Sequence, residues 1–225
     1  MFKKFASEAL GLSDIGKIIP PKDYDKVESD DYILHEDNEK IFFLIKSKQD
    51  EYCFTNRALI HVDGTSAMSK KRTLKRYEYY KYPVSHVLLE TAGTIDLDVE
   101  IKFKLGARNS ASSASAFSKL GSSSDSGGIS FSVDVDKNQL EQLKDLYKAL
   151  YEMSLIESSN YSSYNGAYDT LNKAIQVVSN NRNDGANQAE ELEKVTNYIG
   201  QFLDDAKQKY VRKDYSEIFL KYINN

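Results

Sequence analysis

DLDVEIKFKL, residues 96–105, alternates without a slip. Leu97, Val99, Ile101, Phe103 and Leu105 point one way. Asp96, Asp98, Glu100, Lys102 and Lys104 point the other. Side chains of a β-strand leave its two faces with period two, so this stretch predicts a strand with one buried and one wet face. The three carboxylates also invite a reading as a metal or acid–base site. An extended strand, however, spaces such groups roughly 7 Å apart. Calcium instead takes about six to eight oxygens, typically from a curled loop. Two lysines continue the same polar row, so the carboxylates are expected to face solvent.

GISFSVDVD, residues 128–136, repeats the pattern, with Ile129, Phe131, Val133 and Val135 facing in and Ser130, Ser132 and Asp134 facing out. Upstream, EKIFFLIK, EYCFT, RALIHVD and YEYYKYPVSHVLLE are short and rich in β-branched and aromatic residues. Turn-prone pieces at Ser47–Asp50, Asp63-Gly64 and Ala92-Gly93 separate most of them. Six or seven strands between residues 40 and 135 predict a small antiparallel sandwich or barrel. Within it, residues 107–128 are Ser/Gly-rich and read as a mobile hairpin loop. They lack the spacing and the following helix of a phosphate-binding loop.

Helical spacing flanks this β region. Phe2, Phe5, Ala6, Ala9, Leu12, Ile15 and Ile19 predict an amphipathic helix over 2–19, stopped by Pro20 and Pro21. It would dock on the following domain or, with Lys3 and Lys4, lie at an anionic membrane surface. After Asp136 and Gln139, which have capping-box spacing, Leu140, Leu143, Tyr147, Leu150 and Met153 predict a helix of about 20 residues plugging the barrel. Tyr161, Tyr164, Tyr168, Leu171, Ile175 and Val178 then alternate steps of three and four. NNRNDGAN, residues 180–187, reads as a connector; Leu192, Val195, Ile199, Phe202 and Ala206 resume the stripe. Tyr215, Ile218, Phe219 and Tyr222 close the chain. Two or three short helices cannot bury such stripes alone, which points to packing on one another, on the barrel, or on a second copy.

The 225 residues carry a net charge of −4, which argues against nucleic acid as a partner. The single cysteine, Cys53, fits a reducing compartment and reads as a packed strand residue rather than a catalytic thiol. No apolar run approaches the roughly 20 residues of a membrane span. The expected location is the cytoplasm, with peripheral contact at the inner membrane face as the extension of that reading.

FTNRALIHVDG (54–64), SKKRTLKRYEYY (69–80) and ETAGTIDLDVEIKF (90–103) together resemble the bacterial pleckstrin-homology (PH) domain family. The whole layout, from LGLSDIGKII onward, is similar to that of YvbH-like proteins. The resemblance implies an α+β fold: a seven-stranded, partly open antiparallel barrel of two near-orthogonal sheets, capped by one helix. It further implies an all-α C-terminal oligomerisation region, ring-like assembly in some members, and no established enzymatic activity. The expected domains are an N-terminal helix (1–22), a PH-like domain (23–156) and a helical oligomerisation region (157–225).

Two sets of site residues follow. Lys70, Lys71, Arg72, Lys75 and Arg76 are candidates for an anionic surface or an acidic partner, against the alternative of a solvated basic loop. Tyr161, Tyr164, Tyr168, Leu171, Ile175, Val178, Leu192, Val195, Ile199 and Phe202 are candidates for self-association. Tyr77 and Tyr79 are expected on one face of a strand, with Tyr80 and Tyr82 on the other. His35, His61 and His86 are scattered, and no metal, cofactor or catalytic constellation has recognisable spacing. The reading is a non-enzymatic binding or assembly module. Its alternative is a peripheral membrane adaptor.

Overall fold

The structure, a computed structural model, describes residues 15–64, 72–91, 98–106, 128–180 and 188–223. Among the described residues eight strands form two antiparallel sheets. The first has the order β1 (Lys17–Ile18), β2 (Ile41–Lys46), β3 (Glu51–Thr55), β4 (Ala58–Gly64) and β5 (Arg72–Glu78). The second has β6 (Val84–Glu90), β7 (Asp98–Leu105) and β8 (Ile129–Asp136). β7 behaves as its sequence predicts: Val99, Ile101, Phe103 and Leu105 are buried while Glu100, Lys102 and Lys104 are partly exposed. β8 does the same except at its start, where Ile129 is exposed rather than turned inward.

The inner strands β2, β3 and β4 are buried on both faces, and this is why IFFLI and ALIHV read as nearly continuous apolar runs. On the inner face, Phe54 lies against Phe43 and Phe103, and Phe103 stacks on Phe131 with ring centroids 5.0 Å apart. On the outer face, Leu44, Cys53 and Ile60 form a second cluster with Val27 and Ile33, flanked by Ile19, Tyr24 and Ile41. Residues 19–39 supply this cover as a succession of short 3-10 turns.

The described end of the expected N-terminal helix is not helical. Ile19 donates its N–H to the Leu44 carbonyl (2.9 Å), and Lys17 and Ile18 pair with Lys46 and Ile45. Gly16 bridges to Val135 and so links the first sheet to β8. A Cβ on Gly16 would stand 2.6 Å from Ile45 Cγ2 and 2.9 Å from the Asp134 carbonyl oxygen, so this close approach requires glycine. Residues 1–14 lie outside the described residues, as does the Ser/Gly-rich stretch apart from Gly128.

The described residues then form the helices α1 (Leu140–Asn180), α2 (Gln188–Tyr210) and α3 (Ser216–Tyr222). The capping box expected at Asp136 forms only in part. Asp136 accepts the Asn138 N–H at 2.9 Å, but Gln139 turns to β1 instead, accepting the Ile18 N–H and donating to its carbonyl. α1 is one helix of 41 residues rather than two shorter ones. No proline interrupts it, and its one internal glycine, Gly166, is tolerated in a helix at about 1 kcal/mol.

The chain forms two compact units. One comprises the described residues up to Ser154 together with those from Asp214 onward; the other is Leu155–Lys213. In the first, Leu143, Leu146, Leu150 and Met153 of α1 are buried. The segment from Asp214, grouped by sequence with the helical region, belongs to this unit. The Tyr215 N–H donates to the Asn56 carbonyl (2.8 Å), Asn56 Nδ2 donates to Asp214 Oδ2 (2.8 Å), and Phe219 stacks on Phe42 at 5.2 Å.

Candidate functional site: the helical stripe and the basic strand

In the helical unit the predicted stripe is only partly covered. On α1, Leu171 is buried, Tyr161, Tyr164 and Ile175 are half-buried, and Tyr168 is 49% exposed. On α2, Ala206 is buried and Val195, Ile199 and Phe202 are half-buried; Tyr198, not one of the residues predicted for the stripe, is 65% exposed, its ring 6.5 Å from that of Phe202. The side chains of Val178 and Leu192 lie outside the described residues. Large amphipathic aromatics left in this state are the composition that protein interfaces favour.

The basic run is not a loop from Arg72 onward but strand β5. Strand alternation sends Arg72 and Arg76 to one face and Lys75 to the other. Arg76 grips the buried Glu39, its Nη2 2.9 and 3.0 Å from the two carboxylate oxygens. The Thr55 hydroxyl (2.6 Å) and the Leu34 N–H (2.9 Å) donate to the same carboxylate. Arg72 Nε lies 3.5 Å from Glu28, and Nη1 donates to the Gln49 carbonyl at 2.9 Å. Lys75 pairs with Asp63 at 3.4 Å. Arg72 and Arg76 therefore act as clamps on the 3-10 segment. Glu51 completes the clamp, accepting the Ser29 N–H at 2.9 Å and pairing with Lys46. Burial pushes the Glu51 carboxyl up, but the Lys46 ammonium and two backbone N–H groups outweigh it and hold the carboxyl below its ordinary range. Lys70 and Lys71 lie outside the described residues.

Among the described residues, the carboxylates of the 96–105 row are not gathered into a metal-holding group. Asp96 lies outside the described residues, Asp98 stands in register with Asp136, and Glu100 pairs with Lys102 at 2.9 Å and accepts a hydrogen bond from Ser132. Among the described residues no three His, Cys, Asp or Glu side chains are grouped to hold a metal. Burial pushes the Cys53 thiol up, which opposes formation of the thiolate.

The tyrosine run departs from its predicted parity. β5 ends at Glu78, and residues 79–82 turn, with the Lys81 and Tyr82 N–H groups both donating to the Glu78 carbonyl. The turn sets Tyr77 and Tyr82 edge to face at 5.6 Å and buries Tyr79 against Tyr215. A small polar cleft of about 120 Å³ lies between the sheets, lined in part by Asp50, Tyr52, Ser132 and Asp134. Tyr52 stacks on His61 at 4.6 Å. Burial, aided by Asp50, Asp63 and Asp134, pushes its hydroxyl up to about 12.

Sequence reasoning missed the 3-10 segment and the hub at Asn56. The signal for the first was the pair of strands apolar on both faces, which need a second cover. Asn56 stands in the quoted FTNR stretch, but nothing local marks its distant partners.

Comparison with known proteins now agrees with this geometry. Residues 9–154 match the bacterial PH domain family. The chain belongs to that family. Residues 165–225 match the YvbH-like oligomerisation region, so this bacterial PH-domain protein carries the extension as well. It is 50% identical over 225 residues to the Bacillus subtilis protein YvbH, covering 100% of both chains. A crystal structure of a PH-domain-containing protein from Exiguobacterium sibiricum is 43% identical, with a TM-score of 0.78 over 94% of this chain and 100% of that one. The fold is thus the α+β PH-like fold with a helical C-terminus. No helix among the described residues is long and apolar enough to cross a membrane.

Proposed function

We propose that this protein is a non-enzymatic assembly module, in which the helical unit joins copies of the chain and the PH-like unit is displayed on the assembly. The observation that carries this reading is the half-covered stripe of Leu155–Lys213, with Tyr168 about half exposed and Tyr198 mostly so. The match of residues 165–225 to an oligomerisation region supports it. Display of several PH-like units would raise the avidity of any weak contact they make, by effective concentration alone.

Light scattering on a sizing column tests the reading with full-length chain and with a Tyr168→Glu, Tyr198→Glu variant. Both side chains are exposed, so the substitutions leave the fold of the single chain in place. The wild type is expected as a defined multimer and the variant as a smaller species. A variant that keeps the wild-type mass would remove the helical face from the account.

A further inference from the structure

The 3-10 segment that covers the first sheet presents an unusual outer surface. Between Lys22 and Glu39 it has eight carboxylates and two lysines. The inner carboxylates are engaged: Glu39 by Arg76 and Glu28 by Arg72. Asp25, Asp31 and Glu36 face solvent. Carboxylates alone would be an ordinary solvated surface. Among them, however, stand Tyr32, 46% exposed, and Leu34, 42% exposed. Ile33 between them is anchored in the outer core cluster, which fixes its two neighbours facing outward. The result is a firmly held apolar pair framed by negative charge.

The same chain carries a complement. KQKYVRK, residues 207–213, holds four cations and no carboxylate, with Tyr210 and Val211 at its centre. Lys207 and Lys209 are exposed, and Tyr210 and Val211 half-buried. Resting on the self-association reading, we propose that the Asp30–Asp37 surface of one copy docks the Lys207–Lys213 stretch of a second copy. Charge complementarity selects this occupant, and the apolar pair on each side supplies contact area that ion pairs lack. The contact pairs different patches, so it closes as a two-fold dimer where two copies dock reciprocally, and builds rings or open chains where each copy docks two neighbours.

Charge exchange in full-length chain tests it. Asp31→Lys with Glu36→Lys reverses one side; Lys207→Glu with Lys209→Glu reverses the other. An exposed pair is worth a factor of roughly 1.5–5, and reversal adds repulsion, so each variant alone should associate about tenfold or more weakly at low salt. Mixed one to one, the two variants can alternate so that unlike neighbours make matched contacts, and sedimentation velocity should show association recovered well above that of either variant alone. Thermal midpoints close to wild type exclude misfolding of these surface variants. Two variants that each assemble like the wild type would overturn this contact while leaving the helical stripe in place. Loss in both variants without restoration on mixing would equally overturn docking between copies. A wild-type chain that stays monomeric would overturn both readings.

Discussion

Arg76 shows how a charge that looks solvated in sequence serves the interior. Its carboxylate partner, Glu39, is buried and also receives Thr55 and the Leu34 N–H. Breaking a buried pair leaves an uncompensated charge, so Arg76→Met should destabilise the protein by about 3–5 kcal/mol in urea unfolding. A surface role alone would leave the midpoint nearly unchanged. Strand parity makes part of this legible, since Arg72 and Arg76, four positions apart on one strand, share a face. The partner does not follow from sequence, because Glu39 lies 37 residues away.

His61 adds a pH dependence. Burial lowers its pKa below the ordinary value of about 6.5, against the opposing pull of Asp50 and Asp63 and with help from Lys75. The unfolded chain therefore takes up this proton first as pH falls. The contribution to stability is complete above about pH 6.5 and is lost as pH drops through the lower folded-state value. Urea midpoints from pH 8 to pH 5 should decline on the acid side, and His61→Phe should flatten that part of the decline. An identical acid slope in the variant would assign the effect to other groups.

At the scale of elements, the strands were the most legible part, because period-two alternation in β7 and β8 is unambiguous. The N-terminal stretch was less so. Ile15 and Ile19 fit a helical stripe, yet Gly16 and the pairing of Lys17–Ile18 with β2 make this stretch extended. Tertiary pairing overrides local spacing there. Gly16→Ala should destabilise by about 1–3 kcal/mol, since a backbone oxygen and a buried isoleucine must give way. The 3-10 segment has no period to detect. The full length of α1 was hidden because its barrel-facing and distal apolar stripes looked like two helices.

α3 has the largest practical consequence. Tyr215 and Phe219 are fully buried against Tyr79 and Phe42 in the PH-like unit. Phe219→Ala is expected to destabilise that unit by about 3–5 kcal/mol, read as a lowered thermal midpoint. Cutting the chain at residue 156 would remove the same contacts, so loss of assembly in that truncation would not by itself implicate the helical stripe.

At the scale of the molecule, the heptad-like spacing of residues 161–178 was legible in sequence, whereas its incomplete coverage needed the structure. Leu171 and Ala206 are buried, while Tyr168 and Tyr198 are exposed. The sequence also placed 157–225 together, because the stripe of Tyr215, Ile218 and Phe219 resembles any other amphipathic helix. Its return to the PH-like unit depends on Asn56 and Phe42, far away in the chain.

The most direct test of the central claim is the mass of the unmodified full-length chain, measured by sedimentation equilibrium over a hundredfold range of concentration. Self-association through the helical unit predicts a mass of two or more whole chains that holds over most of that range. A single-chain mass at every concentration would contradict it, and the half-covered stripe would then need another partner.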